Sequence, residues 1–392
     1  MKTVPVWHLA SLQNGYPFNS ADFAASGVLP LLRIRDLTAS DFETFLPFDV
    51  GAHLSVANGD LVIGMDGDFN ATIWKRGRAA LNQRLCRLRA IGDNDIRYVA
   101  YALPAELTRI NATQYATTVK HLSSGEILKC RLPAASPEEQ RRVADFLDDR
   151  VARIDHIITA RRRQSELVLE ESESTLESLV TQPCAVRRPL ASLTDPSRPI
   201  QYGIVLPGPD YPGGVPIIKG GDIGSGRLRR LELNRTDPDI ERAYRRSRVR
   251  PGDMVIAIRG SVGEVDVVPV ELQMANLTQD SARIAPFGYD GEWLRAALVS
   301  PGVQSQMTRR ITGATVKGIN IQDLRRVPIP VPSRAFQASI AMTTKRLREE
   351  TAWYVDALAR SIALLSEYKQ SLITAAVSGE FDVSTAGSGI PG

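Results

Sequence analysis

Gly59-Asp60-Leu61-Val62-Ile63 recurs as Gly252-Asp253-Met254-Val255-Ile256, and the fold follows from that repetition. In each copy a Gly-Asp turn dipeptide feeds a β-branched apolar run, the pattern of a core strand. Upstream, Leu9-Ala10-Ser11-Leu12 returns as Leu190-Ala191-Ser192-Leu193. Pro30-Leu31-Leu32-Arg33-Ile34-Arg35-Asp36-Leu37 is echoed by Pro216-Ile217-Ile218-Lys219-Gly220-Gly221-Asp222-Ile223, and both read as a buried strand ending at an acidic turn. Downstream, Thr118-Val119-Lys120 matches Thr315-Val316-Lys317, and Pro133, Ser136 and Gln140 match Pro330, Ser333 and Gln337 at the same offset. Matches kept in one order imply an internal duplication. The offsets grow along the chain, so insertions fall in loops between matched strands, where length changes are tolerated. One scaffold carrying two sets of loops is suited to reading two different things.

After each copy the apolar period lengthens from two residues to about three and a half. Ser136-Pro137-Glu138-Glu139 is a helix start, with proline at the first helical position and acids in the first turn. Apolar residues then fall at Val143, Leu147, Val151, Ile154 and Ile158, and less cleanly at Leu169, Leu176 and Leu179. After Ser333 the stripe is Ile340, Leu347, Tyr354, Leu358, Ile362, Leu365, Leu372 and Ala376. Each helix should run until Pro183 or Gly379, a rod of about 65 Å at 1.5 Å per residue. Its narrow stripe calls for a partner, and the comparable stripe is the other helix, paired antiparallel.

The expected architecture is therefore α+β: two mixed, mainly β domains, residues 1–134 and 183–332, separated by an antiparallel pair of long helices, 135–182 and 333–379, with a flexible tail at 380–392. At 392 residues the chain is too long for one ordinary core. Its mild excess of positive charge, +4, suits many proteins and decides nothing alone. The clustering of cations says more: Arg227, Arg229 and Arg230, then Arg245, Arg246, Arg248 and Arg250, with Lys75, Arg76 and Arg78 in the first copy, are what a phosphate backbone attracts. No apolar run approaches a membrane span and the N-terminus has no signal-peptide pattern, so the expected compartment is the cytoplasm.

Two mainly β domains each followed by a long helix resemble the specificity subunits of Type I restriction-modification enzymes, over nearly the whole chain. The passages that carry the resemblance are Thr118-Val119-Lys120-His121-Leu122 running to Leu132-Pro133, Ser136-Pro137-Glu138-Glu139-Gln140, their second-half counterparts, and the ending Ser371-Leu372-Ile373-Thr374-Ala375-Ala376-Val377-Ser378-Gly379. The second helix departs from the pattern, since Ser333-Arg334-Ala335-Phe336-Gln337 lacks the acidic pair of positions 138 and 139. The resemblance implies a non-catalytic host-defence protein. Each domain would be a target recognition domain reading one half of a split, asymmetric site in double-stranded DNA. The helix pair would fix the gap and dock modification subunits, two per chain, with restriction subunits joining them. S-adenosylmethionine, ATP and Mg would be bound by those partners and no cofactor by this chain. Longer helices should then lengthen the gap.

Chemistry is sparse by comparison. There is no phosphate loop ending in Lys-Ser or Lys-Thr, no Asn/Asp-Pro-Pro-aromatic signature of an amino-methyltransferase, and Gly220-Gly221 with Gly224 and Gly226 reads as turn chemistry. Glu367-Tyr368-Lys369 has a nuclease-like spacing but falls within helical heptads. His8, His53, His121 and His156 lack metal-ligand spacing, and Cys86, Cys130 and Cys184 are expected to be buried small hydrophobes. The competing readings are a coiled-coil scaffold whose β domains bind proteins and a standalone nuclease. Salt-dependent binding to a split DNA site opposes the first, and failure to cleave DNA without added subunits opposes the second.

For DNA contact, Lys120 and Lys317 hold equivalent positions and are expected at phosphates. Arg33, Arg35 and Lys219 follow matched strands and are expected to reach a groove or to stabilise the acidic turn beside them. Base reading should fall to residues that differ between the copies and make bidentate contacts: Asn14, Asn82 and Gln83 in the first, Arg259 and Gln279 in the second.

Overall fold

Leu61–Gly64 and Met254–Ala257, the strands begun by the two Gly-Asp turns, occupy the same place in equivalent sheets. The structure is a computed structural model, and it describes residues 2–113, 120–181, 186–224, 227–313 and 317–383. By internal contacts the chain divides into two units, Met1–Arg161 with Ser361–Gly392, and Arg162–Arg360. Both are mixtures of short strands and helices, so the chain is α+β.

In the first unit an antiparallel sheet has the order Ala10–Asn14, Leu85–Ala90, Leu61–Gly64, Ala71–Ile73. In the second the order is Gln201–Tyr202, Ser281–Ile284, Met254–Ala257, Val265–Val267. A further sheet in each contains one parallel pair, Leu29–Leu32 with Ala79–Leu81 and Val215–Ile218 with Asn276–Leu277. A two-stranded ladder joins the start of each copy to its end: Thr3–Pro5 to Arg131–Pro133, and Val186–Pro189 to Pro328–Val331. The duplication in sequence is thus largely a duplication of topology, with two departures. The further sheet has four strands in the first unit and three in the second. Leu190–Leu193, matched in sequence to residues 9–12, form a 3-10 turn at the place of Val6–His8, since the N–H groups of Val6 and Leu190 bond the Cys130 and Val327 carbonyls and the carbonyls of Leu9 and Leu193 accept from Ile91 and Phe287.

Why the central strands read as unbroken apolar runs is plain from their two faces. Alternate side chains of a strand point to opposite sides. Leu61 and Ile63 enter one core while Val62 enters another, and Met254 and Ile256 are likewise separated from Val255 and Ala257. All are buried, at about 1.5–3 kcal/mol for each large aliphatic side chain.

The turn before each strand needs its glycine, with φ of +92° at Gly59 and +83° at Gly252. The aspartate that follows is buried and caps the turn. Asp60 Oδ2 accepts from the Ala57 N–H at 2.9 Å, and Asp253 Oδ2 from the Arg250 N–H at 2.7 Å. Arg89 grips Asp60 with two bonds of 2.5 and 2.9 Å, and Arg198 grips Asp253 with two of 2.9 and 2.5 Å.

The long helices are Pro137–Val180, 44 residues, and Arg334–Ser378, 45 residues. The first opens with a reciprocal cap, Ser136 N–H to Glu139 Oε2 at 2.7 Å and Glu139 N–H to Ser136 Oγ at 3.3 Å. Within the first unit, Val143 and Leu147 share a core with Ala376, and Lys369 Nζ pairs with Asp155 Oδ1 at 2.6 Å. Within the second, Val180 shares a core with Ile340, and Thr351 Oγ1 meets Ser172 Oγ at 3.1 Å. In each unit rising numbers on one helix meet falling numbers on the other, so the segments run antiparallel. Leu169 and Tyr354, assigned to the stripes by periodicity, face solvent instead at 45% and 54% exposure. A straight helix drifts against a seven-residue repeat, and those positions have rotated off the seam.

Gln140 and Gln337 show why the matched Ser-x-x-x-Gln recurs. Both are buried. Each accepts a backbone N–H from the start of a preceding helix, Asp95 at 2.9 Å and Asp290 at 3.3 Å, and donates to a carbonyl just before its own helix, Ala135 and Pro332, both at 3.0 Å. Among the described residues no helix is long and apolar enough to cross a membrane.

Candidate nucleic-acid interface

The ends of the duplicated strands converge on one polar corner in each unit. In the first unit Gly15 N–H bonds the Leu85 carbonyl at 2.8 Å, and Leu85 N–H bonds the Asn82 carbonyl at 3.0 Å, which brings Asn14 beside Asn82 and Gln83. Asn82 N–H reaches back to the Leu32 carbonyl at 3.2 Å, placing Arg33 next to them. Met65 N–H bonds the Arg84 carbonyl at 3.0 Å, and Gly67 N–H bonds the Lys120 carbonyl at 3.1 Å, which closes the group.

The second unit repeats four of these bonds: Ser281 N–H to Thr278 O at 3.3 Å, Thr278 N–H to Ile218 O at 3.1 Å, Ile258 N–H to Asp280 O at 2.8 Å and Gly260 N–H to Lys317 O at 3.2 Å. Gly203 N–H goes to Thr278 O at 3.1 Å, the place of Asn82, and not to the counterpart of Leu85. Lys317 is therefore the structural counterpart of Lys120, Gln279 of Gln83, Lys219 of Arg33 and Arg259 of Asp66, so that Gln83 and Gln279, chosen as residues that differ between the copies, prove to be one residue type at one place. Nine of the ten residues named from sequence gather at these two corners. Arg35 stands apart, exposed, paired with Glu43 at 2.5 Å and lying 3.9 Å from Asp36, where its charge favours the ionised carboxylate of the acidic turn.

Their present engagements differ. Lys120 is half-buried and donates to Asn111 O at 2.7 Å and Asn111 Oδ1 at 2.6 Å, whereas Lys317 is exposed. Asn14 Oδ1 accepts from Ser124 Oγ at 2.7 Å, and Asn82 Oδ1 from the Gln83 N–H at 2.8 Å. Gln83 and Arg259 are exposed, and Gln279 half-buried. Lys219 Nζ donates to Asn234 Oδ1 at 3.1 Å. The backbone N–H of Arg33 donates to Asp36 and that of Lys219 to Asp222, each at 2.9 Å, so the acidic turns are held by main chain. The Nε of Arg33 is buried without a hydrogen-bond acceptor among the described residues.

Sequence reading missed the charged partners at these corners. Asp66 pairs with His121 at 2.6 Å and Arg84 at 3.5 Å, and the two bases are more than half exposed. Such pairs contribute under about 1 kcal/mol, so fold stability does not require them. The second copy holds Arg259 in place of Asp66 and Asp280 in place of Arg84, an acid and a base exchanged on one backbone. The available signal was position: Asp66 and Arg259 stand equally far beyond the matched Gly-Asp runs.

The cationic cluster of the first copy has a different fate. Arg76 lies over the rings of Phe42 and Trp74, 4.6 Å from each centroid, and donates to the carbonyls of Ala39 at 2.7 Å and Asp36. Arg78 is bound to Asp49 at 2.8 Å and to the Val50 carbonyl. In the other cluster Arg227 pairs with Asp222 at 3.0 Å. The side chains of Arg229 and Arg230, and Thr118, Val119, Thr315, Val316, Cys184 and Gly226, lie outside the described residues, as does the tail beyond Val383.

Burial pushes the Cys86 thiol up to about 12 and that of Cys130 up to about 11, so both are protonated small hydrophobes at neutral pH. Glu367-Tyr368-Lys369 lies in the helix Arg334–Ser378 with Lys369 engaged by Asp155. Among the described residues no group of His, Cys, Asp and Glu is placed to hold a metal ion.

Residues 1–165 match the family described as Type I restriction modification DNA specificity domain. The Type I restriction enzyme EcoBI specificity subunit of Escherichia coli is 30% identical over 406 residues, covering 95% of this chain and 84% of that protein. A solved chain from work on complex assembly and conformational transition of the type I R-M system is 19% identical and shares the fold with a TM-score of 0.67, over 86% of this chain and 87% of that one. A duplicated scaffold with unlike polar corners, and a relative at that identity along almost its full length, lead to one conclusion: the chain belongs to the specificity subunits of Type I restriction-modification enzymes, which supply DNA specificity and perform no catalysis.

Proposed function

We propose that each unit reads one half of a split, asymmetric site in double-stranded DNA, with its polar corner laid against the duplex. One observation carries this reading: the same backbone hydrogen bonds present different side chains in the two copies. A corner needed only for folding has no reason to exchange Asp66 and Arg84 for Arg259 and Asp280. A pair of readers facing two half-sites does. Gln83 and Gln279, equivalent in place, have the donor–acceptor pattern that pairs with adenine N6 and N7, and Arg259 the fork that matches guanine O6 and N7. Asn14 and Asn82 join Gln83 in the first reader. Lys120, Lys317, Arg33 and Lys219 bind the flanking phosphates, and Arg35 does so from outside the corner. The recognition domains are residues 1–134 and 183–332.

The chain then directs adenine methylation by modification subunits, two per chain, and cleavage by restriction subunits when these are present. Those partners bind S-adenosylmethionine, ATP and Mg. The cytoplasm is the compartment that this role requires.

Replacing Gln83 with alanine should relax discrimination at one base pair in one half-site by about 1–3 kcal/mol, and Gln279→Ala should do the same in the other half. Competition between duplexes varied one position at a time measures this. Relaxation of both halves by either variant, or of neither half by both, would remove the corners from the reading surface.

A further inference from the structure

A pocket of about 630 Å³ in the second unit is lined by six arginines, Arg198, Arg245, Arg246, Arg248, Arg250 and Arg283, and by no carboxylate. Two of the six are neutralised from outside the lining. Arg198 forks onto the buried Asp253, and Arg248 holds the buried Glu241 with two bonds of 2.5 Å. Arg283 is buried at the back, donating to the carbonyls of Arg246, Arg248 and Pro199 at 2.8, 2.6 and 3.2 Å. It therefore fixes the loop that carries the other arginines. Burial first, and then the charges of Arg198 and Arg250, lower its pKa, as expected where positive charge is crowded. Arg245, Arg246 and Arg250 are exposed and none of them makes an ion pair with a carboxylate among the described residues, although the charge of Arg245 reaches Glu241, which Arg248 already neutralises.

The first unit supplies the control. Its corresponding loop has the same short 3-10 turn, Ala52–Leu54 against Arg245–Ser247, and the same capped Gly-Asp turn. Val56 pairs with Ala79 as Val249 does with Ala275. This register sets Ala52 opposite Arg245, His53 opposite Arg246 and Ala57 opposite Arg250. Arg87, the counterpart of Arg283, donates to the Ala52 carbonyl at 2.9 Å. The scaffold thus forms without the exposed cations, so they answer to something other than folding.

We infer that Arg245, Arg246 and Arg250 form a phosphate clamp peculiar to the second unit, which takes the DNA backbone and gives that unit the larger share of sequence-independent affinity. The inference rests on the DNA-binding reading above. Guanidinium groups match phosphate oxygens with paired donors, and clustering them without carboxylates leaves the charge free for a polyanion.

The test uses the full chain and a duplex of random sequence, with affinity followed between about 50 and 200 mM salt. A variant carrying Arg245→Ala, Arg246→Gln and Arg250→Ala should lower the slope of log affinity against log salt by about two to three, at roughly 0.9 for each phosphate no longer neutralised. Its thermal unfolding should match the parent, because the first copy forms the same loop with Ala52, His53 and Ala57 there. A charge-matched control, Arg162→Gln, Lys345→Gln and Arg309→Gln, should leave the slope nearly unchanged. An unchanged slope in the triple variant, or an equal fall in the control, overturns the clamp while leaving the DNA-binding reading in place. A parent chain whose binding shows no salt dependence overturns that reading and the clamp with it.

Discussion

Asp60→Ala should destabilise the first unit by about 3–5 kcal/mol, the cost of breaking a buried ion pair by removing one partner. The aspartate and Arg87 are both buried, 3.3 Å apart, and Arg89 closes a fork on the same carboxylate. Alanine would strand Arg87 with only the Ala52 carbonyl and leave the Ala57 N–H without its acceptor. Against a whole-domain stability of about 5–15 kcal/mol, that is a large fraction. Asp253→Ala should cost less, since Arg198, its partner, is better exposed than the Arg87 that Asp60→Ala would strand, and Arg283 is held by three carbonyls. Thermal unfolding of both variants, with hydrogen exchange resolving the two units, measures the difference.

Acid should act on the same group. Burial alone would raise the Asp60 pKa, but the bonds from Arg89 and the Ala57 N–H, with the charges of Arg89 and Arg87, outweigh it and hold the carboxyl below its ordinary 3.8. A depressed folded-state pKa gives stability that is present above the unfolded value and lost as pH falls through the folded one. The first unit should therefore hold this contribution at neutral pH and lose it progressively below about pH 4.

Gly203→Ala should be the most damaging single methyl in the second unit, and Gly15→Ala in the first. A Cβ on Gly203 would lie 1.9 Å from the Leu277 carbonyl oxygen, and one on Gly15 1.8 Å from that of Asn82. Backbone cannot rotate away as a side chain does, so the strand end must retreat by more than an ångström. Overpacking of this kind costs about 1–3 kcal/mol or more. The displaced segments carry Tyr202 and Asn14 into the polar corners, so each variant should also weaken binding to one half-site, seen with half-site duplexes at a temperature where both units remain folded. An alanine variant with unchanged stability and binding would contradict this packing of the corner.

How much of this was legible in the sequence depends on whether its cause was local. The Gly-Asp turns and the runs after them were readable because turn chemistry and strand burial are written in adjacent residues. The long helices were readable from their spacing, with Leu169 and Tyr354 misassigned because a seven-residue template ignores helical drift. The parallel pairing of Leu29–Leu32 with Ala79–Leu81 has no local signature. Neither did the fate of the arginines: Arg76 is pinned by Phe42 and the Ala39 carbonyl, far away in sequence, while Arg245 and Arg246 look alike in composition and are exposed. The convergence of Asn14, Gln83 and Lys120 was beyond reach for the same reason, although matching Lys120 to Lys317 had already fixed one point of it.

The most direct measurement is the methylation pattern directed by a chimera in which residues 1–134 come from another member of the family. Two independent readers predict that one half of the modified site changes and the other half keeps its sequence. A pattern altered in both halves, or in neither, would contradict them.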